Sequence, residues 1–393
     1  MKSHENHTKG HSENREKYVS SNTVRKKISL NGYPCFGTVK LGKEVVINTQ
    51  VFKDQFRRMS SKPDRVVIIG VAGDSGCGKS TFLRRLSDLF GDQFMTVICL
   101  DDYHCLDRKQ RKETGITALD PRANNFDLMY EQVKALKEGK SVMKPIYNHE
   151  TGFIDPPELI EPNHVIVIEG LHPLFDERVR SLLDFSVYLD ISDEVKVAWK
   201  IQRDMAERGH TLADVMQAIT ARKPDFEAFI DVQKAFANVV IQVLPTNLVA
   251  DDKEHKTLRV RLIQQEGVEG MSHTYLFDEG STIVWTPCGK KLTCGYPGIR
   301  LAYGPDSWCG NPVTVLEVDG EFARLDELTY VENHLSNTDT KHYGELTELL
   351  LKHPDYPGSN NGTGLLQVLV GLKMRSAYER LTHTSADQLT AVS

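Results

Sequence analysis

The most informative residues form a glycine-rich turn between a short apolar strand and the start of a helix. Residues 66–72 are apolar apart from one glycine, and they lead into the pattern Gly73-x-x-x-x-Gly78-Lys79-Ser80. Glycines let the backbone wrap an anion, because bare N–H groups can converge on phosphate oxygens. The dipole of the following helix adds positive potential at the same point. The turn therefore predicts a nucleoside triphosphate site, formed by Gly73, Asp74, Ser75, Gly76, Cys77, Gly78, Lys79, Ser80 and Thr81.

Several side chains near this turn can handle a metal ion and a proton. Lys79 can reach the terminal phosphates, and the Ser80 hydroxyl can bind magnesium. Glu169 ends an apolar strand, from which a carboxylate can reach the same magnesium ion; a helix-capping or surface acid is the alternative. Asp101 also ends a strand, and the carboxyl ends of parallel strands crowd one ligand crevice. Asp101 is therefore the candidate base for an attacking hydroxyl, with a structural turn acid as the alternative and Asp102 as its rival.

A second cluster of charge lies on a helix predicted over residues 194–207. Lys200, Arg203, Asp204 and Arg208 stand at i, i+3, i+4 and i+8, so they share a broad face. Charges on a helix usually form a solvated face. Three cations around one carboxylate, on a helix that follows a core strand, favour instead the binding of phosphate oxygens and of transition-state charge. Two more candidate partners for phosphate or hydroxyl groups follow the candidate base, and they are His104 and Arg108.

The composition is that of a globular enzyme rather than a nucleic-acid-binding or membrane protein. The 393 residues are 40% hydrophobic and 26% charged, which is enough for a large core. A net charge of −6 offers no basic surface for nucleic acid. The longest apolar runs are strand-sized, far short of the roughly 20 residues of a membrane helix. No hydrophobic signal segment opens the chain, so we expect a protein that is not secreted.

The first 64 residues differ from the rest of the chain. They hold 13 Lys and Arg against 6 Asp and Glu, and residues 1–21 are too polar to form a core. A short β-like patch follows at residues 38–51. Transit peptides are usually poor in acids, and acids are present here. We therefore expect the working protein to begin at or near Met59, with residues 1–58 as a disordered extension; a basic docking arm is the alternative.

From the glycine-rich turn onward, strands alternate with helices, which is typical of a mostly parallel sheet covered on both faces. Beyond about residue 245, short strands separated by Gly, Pro and Asp predict an antiparallel, β-rich part. The predicted fold class is α/β: a P-loop NTPase-type core over residues 59–245, then a β-rich region with a closing helix over 246–393. The predicted elements are strands at 96–100, 143–147, 153–154, 164–169, 187–191, 259–264, 275–277, 282–285, 313–318 and 329–331 and helices at 127–138 and 364–381.

Eight segments of the chain carry a family resemblance. They include Gly-Asp-Ser-Gly-Cys-Gly-Lys-Ser-Thr at 73–81 and Lys-Ile-Gln-Arg-Asp-Met-Ala-Glu-Arg-Gly at 200–209. With these segments the chain resembles phosphoribulokinase of the cyanobacterial and plant chloroplast type, over about residues 59–385, with the first 58 residues unmatched. The other six segments are 98–104, 117–127, 145–149, 168–174, 285–294 and 356–364.

The resemblance implies a specific reaction and specific residue roles. The family transfers the γ-phosphate of ATP to the 1-hydroxyl of ribulose 5-phosphate, which gives ribulose 1,5-bisphosphate for carbon fixation in the Calvin cycle. Asp101 matches the catalytic base, and Lys200 matches a catalytic lysine. Asp204 and Glu169 match acids that act in magnesium handling and catalysis. The residues that match positions for sugar-phosphate binding or catalysis are His104, Arg108, Arg203 and Arg208.

The cysteines predict thiol chemistry. Seven cysteines in a chain that is not secreted do not indicate a structural disulfide framework. Cys77 lies among converging N–H groups and beside Lys79, which we expect to favour its thiolate. Cys99 stands two residues before Asp101. The resemblance implies that oxidation bridges Cys77 and Cys99 and blocks the ATP phosphates, while Cys105 is close enough to compete with Cys99.

The resemblance also implies partners. Cys288 and Cys294 match a second redox pair, which is associated with docking of a small disordered linker protein and glyceraldehyde-3-phosphate dehydrogenase. The resemblance further implies that thioredoxin is the reductant and that the protein is a homodimer. It implies the cytoplasm of a cyanobacterium-like cell as the compartment, with the chloroplast stroma as the alternative.

Two rival functions share the glycine-rich turn. The first rival is a uridine-kinase-like or pantothenate-kinase-like enzyme, but such enzymes lack the cysteine pairs and the β-rich part. The second is a nucleotide-gated scaffold that binds partners without turnover. Such a scaffold does not need catalytic residues, whereas here every catalytic position is filled.

Overall fold

A computed structural model describes residues 65–199, 211–268, 271–287, 289 and 291–390, without the side chains at 214, 218 and 383–390. The predicted extension at 1–58, its β-like patch and the charged helix from residue 200 onward lie outside this part. The strands are β1 (Val67–Gly73), β2 (Met95–Cys99), β3 (Val142–Tyr147), β4 (Ile154–Ile160), β5 (Val165–Gly170), β6 (Phe185–Ile191), β7 (Val239–Pro245), β8 (Leu258–Gln265), β9 (Tyr275–Leu276), β10 (Ile283–Trp285), β11 (Ile299–Trp308), β12 (Asn311–Gly320) and β13 (Leu335–Ser336).

Helices flank these strands throughout the part of the chain that the structure describes. Besides short 3₁₀ turns, a π-helical turn (Phe226–Ile230) and a helical stretch at 193–199, they are α1 (Lys79–Phe90), α2 (Arg108–Thr114), α3 (Phe126–Lys137), α4 (Glu177–Arg180), α5 (Leu212–Asp225), α6 (Thr329–Glu332), α7 (Glu345–Lys352) and α8 (Gly362–Thr390). Within the described ranges, no helix is both long and apolar enough to span a bilayer.

The parallel half of the sheet is built around β1, the strand that leads into the glycine-rich turn. Nine strands lie in the order β10-β11-β12-β8-β7-β6-β1-β5-β2. Strand β1 is parallel to both β5 and β6, β2 is parallel to β5, and β7 is parallel to β6. All seven residues of β1 are buried, as expected for a strand with helices on both faces. Because these five strands run the same way, their carboxyl ends meet at one edge.

The β-rich part continues the same sheet, and its strands are antiparallel as predicted. Strand β8 pairs with β7, and β12, β11 and β10 follow outward. Val243 pairs with Val260, which pairs with Val318, and all three are buried. The hydrophobic core therefore passes through residue 245 without a break.

Alternation along the strands decides which helices each face of the sheet contacts. The odd-numbered residues of β1 join a core with α1 and α8. On the opposite face, Ile68 packs with α3. A Cβ at Gly371 would lie 2.5 Å from Leu89 Cδ1, so glycine permits the close approach of α8 to α1. The terminal helix thus supports the helix that begins at the glycine-rich turn.

The structure shows that one predicted strand is wrong. The β-branched and aromatic residues at 329–331 predict a strand, but they lie in α6. Leu328 and Val331 are three residues apart and both are buried in the core, which is a helical spacing. The Glu332 carboxylate accepts hydrogen bonds from two backbone N–H groups at the start of α7. Tertiary packing overrides the local β propensity here. Elements outside the predictions include β7, β11, α5 and α7.

A buried ion pair between α7 and α8 is expected to stabilise the terminal helix. Arg375 Nη1 and Nη2 lie 2.6 and 3.1 Å from the two Glu345 oxygens, and each side chain is 1% exposed. Removing one partner leaves an uncompensated buried charge. We therefore expect Glu345→Ala to lower the free energy of unfolding by about 3–5 kcal/mol, measured by chemical denaturation.

A surface pair provides the control. Glu113 lies 3.8 Å from Lys109 on α2, and both side chains are mostly exposed. Glu113→Ala is expected to change the free energy of unfolding by less than about 1 kcal/mol. Equally small effects of the two substitutions would contradict the assigned role of the buried pair.

Candidate functional site

The glycine-rich turn closes tightly over the end of β1. A Cβ at Gly73 would lie 2.7 Å from the carbonyl oxygen of Leu189 in β6. Gly78 has a φ of +94° and caps the N-terminus of α1, in a region that favours glycine. Residues 73–81, which were predicted as the nucleotide site, are thus one continuous turn and the first turn of α1. The first N–H groups of that helix have no partner within the helix and suit an anion.

Lys79 is the central cation of the site. Its Nζ donates hydrogen bonds to the carbonyl oxygens of Gly73 and Asp74, each at 3.0 Å. Burial alone would lower the pKa of Lys79, but the surrounding groups outweigh burial and raise that pKa. In order of effect, these groups are Cys77, which acts only when it is a thiolate, and then the carboxylates of Glu169, Asp101 and Asp74. The ammonium group therefore stays charged at neutral pH and can bind phosphate oxygens.

Two cations outside the predicted set neutralise the acid of the turn. Asp74 is 7% exposed, and its Oδ1 accepts hydrogen bonds from Ser75 N–H at 2.7 Å and Arg222 Nη2 at 3.0 Å. Its Oδ2 lies 3.4 Å from Lys196 Nζ. Lys196 stands four residues before Lys200, so the predicted charged face could have been extended to it. Arg222 comes from α5 through tertiary packing, and no local pattern marks it.

Glu169 and Cys99 are direct neighbours at the carboxyl edge. They are paired in register between β5 and β2, so their side chains leave the sheet on the same face. The pKa of Glu169 is raised, mainly because the carboxyl group is partly removed from solvent. Lys79 opposes this increase, Asp101 adds to it, and a hydrogen bond with the Cys99 thiol opposes it. The Glu169 carboxylate and the Ser80 hydroxyl are hard oxygen donors, so the residues present fit magnesium.

The structure distinguishes the two adjacent acids. Asp102 Oδ1 accepts a hydrogen bond from Tyr147 N–H at 2.9 Å, and its other oxygen pairs with Lys144 Nζ. Asp102 therefore fastens β3 to the turn that follows β2. The Asp101 carboxylate lies over the end of β5, where its Oδ1 is 3.3 Å from the position of a Cβ on Gly170. Of the two acids, Asp101 is the one next to Lys79 and the candidate magnesium ligands.

His104 is buried and held in one orientation. Its Nδ1 lies 2.8 Å from Asn124 Oδ1, and Asn124 Nδ2 donates to the Asp120 carbonyl oxygen at 3.1 Å. Because the amide oxygen accepts, the proton of a neutral ring is on Nδ1 and Nε2 carries the lone pair. Burial lowers the pKa of His104, although Asp101 opposes this effect. At neutral pH, Nε2 can therefore accept a hydrogen bond from a hydroxyl group.

Arg108 holds the turn between β3 and β4. Its N–H donates to Gly152 O at 3.0 Å, and its guanidinium donates to the carbonyl oxygens of His149 and Glu150. This turn carries His149 towards the carboxyl edge. One ligand atom each of Cys99, Asp101 and His149 lie within 4.8 Å of one another. His149 belongs to the family-like segment 145–149, but no role was predicted for it.

Several predicted site residues lie outside the part of the chain that the structure describes. Their roles stay predictions, and they are Lys200, Arg203, Asp204, Arg208 and Cys288. Cys294 is half-buried, and its Sγ lies 3.8 Å from the carbonyl oxygen of Leu292.

The expectation that Cys77 favours its thiolate is wrong. Cys77 is 6% exposed, and burial raises the pKa of its thiol although Lys79 opposes this effect. Burial also raises the pKa of Cys99, and Asp101 and Glu169 add to the increase. The free thiols among the described residues are Cys77, Cys99, Cys105, Cys294 and Cys309.

Comparison with known proteins identifies the family. Residues 68–250 match the Phosphoribulokinase / Uridine kinase family. A phosphoribulokinase from Synechocystis sp. is 72% identical over 324 residues, which are 82% of this chain and 97% of that protein. The chain belongs to the phosphoribulokinase family. A chloroplast phosphoribulokinase from Mesembryanthemum crystallinum is 58% identical over 389 residues, which are 95% of this chain and 93% of that protein. The resemblance seen in the sequence is confirmed, and the chain is an enzyme, a sugar-phosphate kinase.

The same comparisons refine two expectations about this phosphoribulokinase family member. The Mesembryanthemum alignment covers 95% of the chain, which is more than residues 59–393 comprise. Part of residues 1–58 therefore has a counterpart, and the expectation that they are unmatched is wrong. A uridine kinase from Limosilactobacillus reuteri is 31% identical over 209 residues, which are 52% of this chain and 96% of that protein. The likeness to uridine kinase is thus limited to about half of the chain.

The raised pKa values predict slow alkylation of the two site cysteines. Only the thiolate reacts, so a raised pKa lowers the reactive fraction at about pH 8, and that fraction grows as pH increases. We expect iodoacetamide to label Cys77 and Cys99 after the exposed Cys105 and Cys309, at rates that rise with pH. Peptide mass spectrometry of the reduced chain measures the order. Labelling of Cys77 ahead of Cys105 would contradict the assigned environments.

Proposed function

We propose that this kinase transfers the γ-phosphate of ATP to the 1-hydroxyl of ribulose 5-phosphate, which gives ribulose 1,5-bisphosphate and ADP, as in the Calvin cycle. The observation that supports this best is the 72% identity to a protein named phosphoribulokinase over 97% of its length. The match covers 82% of this chain, against 52% for the uridine kinase. It therefore includes more than the nucleotide-binding core that both enzymes share.

The geometry at the carboxyl edge supports an in-line transfer with Asp101 as the base. Asp101 accepts the proton of the 1-hydroxyl as that oxygen bonds to the γ-phosphorus. The bond from this phosphorus to the bridging oxygen breaks, and ADP leaves with the electron pair. Lys79 and the first N–H groups of α1 stabilise the charge on the phosphate oxygens. In this account Asp102 is a structural acid, because Tyr147 and Lys144 occupy its carboxylate.

A magnesium ion is part of the proposal. Ser80 and Glu169 are the described residues that would hold it, and Asp204 is the third proposed ligand. When bound, the ion supplies positive charge to the phosphate oxygens. Glu169 supports this assignment through its place beside Lys79 at the end of β5 and through its half-buried carboxylate.

The second anion, the sugar phosphate, is assigned to the side of the site that His104 lines. His104 Nε2 accepts a hydrogen bond from a sugar hydroxyl, which its tautomer allows. Lys200 is the proposed catalytic lysine. The cations proposed to bind the sugar phosphate are Arg108, Arg203 and Arg208. Arg108 forms hydrogen bonds with the turn at 149–152 in this structure. To bind the sugar phosphate, its guanidinium must therefore contact the turn and the phosphate at the same time.

We also propose that oxidation of Cys77 and Cys99 to a disulfide inactivates the enzyme. Strand β5 lies between β1 and β2, so the strands that lead to the two thiols are about 10 Å apart. A disulfide spans at most about 7 Å between Cα atoms. Cys77 Sγ lies beside Gly73 at the end of β1, so we expect the bridge to require a shift of the glycine-rich turn over the end of β5, which would disrupt the phosphate site. The loss of activity follows from this shift.

Partners and compartment remain proposals from the family resemblance. Thioredoxin is the proposed reductant, and the protein is proposed to be a homodimer. Cys288 and Cys294 are the proposed second redox pair, which controls docking of the small linker protein and glyceraldehyde-3-phosphate dehydrogenase. The compartment is the cytoplasm of a cyanobacterium-like cell or the chloroplast stroma. The cyanobacterial and chloroplast relatives support both compartments.

The reaction is tested with two competing acceptors. The reduced full chain is expected to convert ATP and ribulose 5-phosphate to ADP and a bisphosphate in equal amounts. Uridine is expected to react at least about a hundredfold less efficiently, because it carries no phosphate to pair with the cations that the site provides for a sugar phosphate. Coupled ADP release and ³¹P NMR of the product measure both. Binding of ATP without any product would favour the scaffold, and faster reaction with uridine would favour the uridine-kinase reading.

The roles of the adjacent acids are tested by a matched pair of substitutions. Asp101→Asn is expected to lower kcat by about 10²–10⁴-fold, because the base is lost, with little change in the KM for ATP. Asp102→Asn is expected to lower the melting temperature, because the buried Lys144 loses a partner, and to lower kcat much less. Steady-state kinetics and thermal melts measure both. A larger loss of kcat in Asp102→Asn would reverse the assignment.

The disulfide is tested by oxidation and recovery. Turnover of the starting protein is expected to vanish on oxidation and to return with a dithiol, while Cys99→Ser resists oxidation. Cys105→Ser is the control, because Cys105 is an exposed thiol close to Asp101. If Cys105→Ser resists oxidation and Cys99→Ser does not, the bridge uses Cys105 instead.

A further inference from the structure

We propose that Cys99, Asp101 and His149 form a binding site for a zinc ion, and that the bound ion inhibits phosphoryl transfer. Among the residues that the structure describes, these three form the one group of at least three His, Cys, Asp or Glu side chains whose ligand atoms lie close together. One ligand atom of each lies within 4.8 Å of the other two. The inhibitory part of the proposal rests on the proposed function, whereas the binding part does not.

Three ordered elements present the three ligands. Cys99 is the last residue of β2, and Asp101 follows two residues later in a 3₁₀ turn. His149 lies in the turn between β3 and β4, which Arg108 fastens through hydrogen bonds to two carbonyl oxygens. Ligand atoms in a tetrahedral zinc site are roughly 3.5 Å apart, given bonds of about 2.0–2.3 Å. Binding of the ion therefore requires the ligand atoms to approach one another by up to about 1 Å.

The donor set selects the metal. A thiolate, an imidazole and a carboxylate are ligands that zinc accepts together, whereas magnesium prefers oxygen donors alone. Three protein ligands leave a fourth position for water or a substrate oxygen. As the bond from Cys99 Sγ to zinc forms, the thiol proton passes to solvent. His149 is exposed and the other two side chains are half-buried, so the ion can reach them from solvent.

Zinc binding has two consequences for the proposed chemistry. An Asp101 oxygen that is bonded to zinc cannot accept the proton of the sugar hydroxyl, so kcat falls even when both substrates are saturating. A Cys99 sulfur that is bonded to zinc cannot form a disulfide or react with an alkylating reagent. Conversely, an oxidised Cys99 cannot bind the ion, so the site exists only in the reduced protein.

The test uses Co²⁺ as a spectroscopic probe in place of Zn²⁺. The reduced full chain is expected to develop a thiolate-to-cobalt charge-transfer band that stoichiometric Zn²⁺ removes. Cys99→Ser is expected to abolish the band, because the thiolate is lost. His149→Asn is expected to weaken binding of both metals by at least about tenfold. Zn²⁺ is also expected to protect Cys99 from iodoacetamide in the starting protein.

The chain offers a matched control and one background site. Cys105→Ser removes an exposed thiol six residues from Cys99, and it should leave the band and its zinc competition unchanged. Three histidines near the start of the chain can also bind metal ions, because imidazole is a common metal ligand, and they are His4, His7 and His11. The band and the differences between variants are therefore the readouts, because total metal bound includes this background.

Different results overturn different parts of the proposal. Co²⁺ binding without a charge-transfer band, or a band that survives in Cys99→Ser, would overturn the site. Zn²⁺ inhibition of equal strength in His149→Asn and the starting protein would overturn the inhibitory role. If the starting protein binds Co²⁺ with the expected band but does not phosphorylate ribulose 5-phosphate, the proposed function fails and the metal site stands.

Discussion

The attraction between the half-buried Lys79 and the acids around it, just beyond the end of β1, is the interaction on which the rest of the site depends. Phosphate groups need positive charge at the place where they bind, so acids near that place must be neutralised or reserved for chemistry. The acids with structural roles are neutralised: Asp74 by cations from α5 and the stretch 193–199, and Asp102 by a lysine of β3. This leaves Asp101 and Glu169 beside Lys79, whose charge they in turn stabilise.

The fold provides this balance by converging distant parts of the chain on one edge. Parallel strands bring the ends of β1, β2 and β5 together, and the hairpin of β3 and β4 adds a histidine from the side. The antiparallel strands extend the same sheet, and α8 packs along α1. The C-terminal part therefore supports the helix whose N-terminus is the proposed phosphate site. The Cys77 thiol is buried and the Cys99 thiol is half-buried, and this removal from solvent raises the pKa of both.

The features that could be predicted from sequence are those encoded by local patterns. The glycine-rich turn follows from a strand, spaced glycines and a helix, and Glu169 follows from an acid at the end of an apolar run. The strand predicted at residues 329–331 was wrong because β-branched and aromatic residues also pack well in a helix. Here the core contacts of Leu328 and Val331, three residues apart, favour the helix. Arg222 and His149 reach the site only through tertiary packing of α5 and of a hairpin turn, and no local spacing marks either one.

The most direct test of the central claim is a crystal structure of the reduced enzyme with magnesium, a non-hydrolysable ATP analogue and ribulose 5-phosphate. We predict an Asp101 oxygen within about 3 Å of the 1-hydroxyl oxygen. That hydroxyl oxygen should stand in line with the terminal phosphorus, and Lys79 should bind the phosphate oxygens. A 1-hydroxyl held by Asp102 or by His104 Nε2, with Asp101 turned away, would contradict the account.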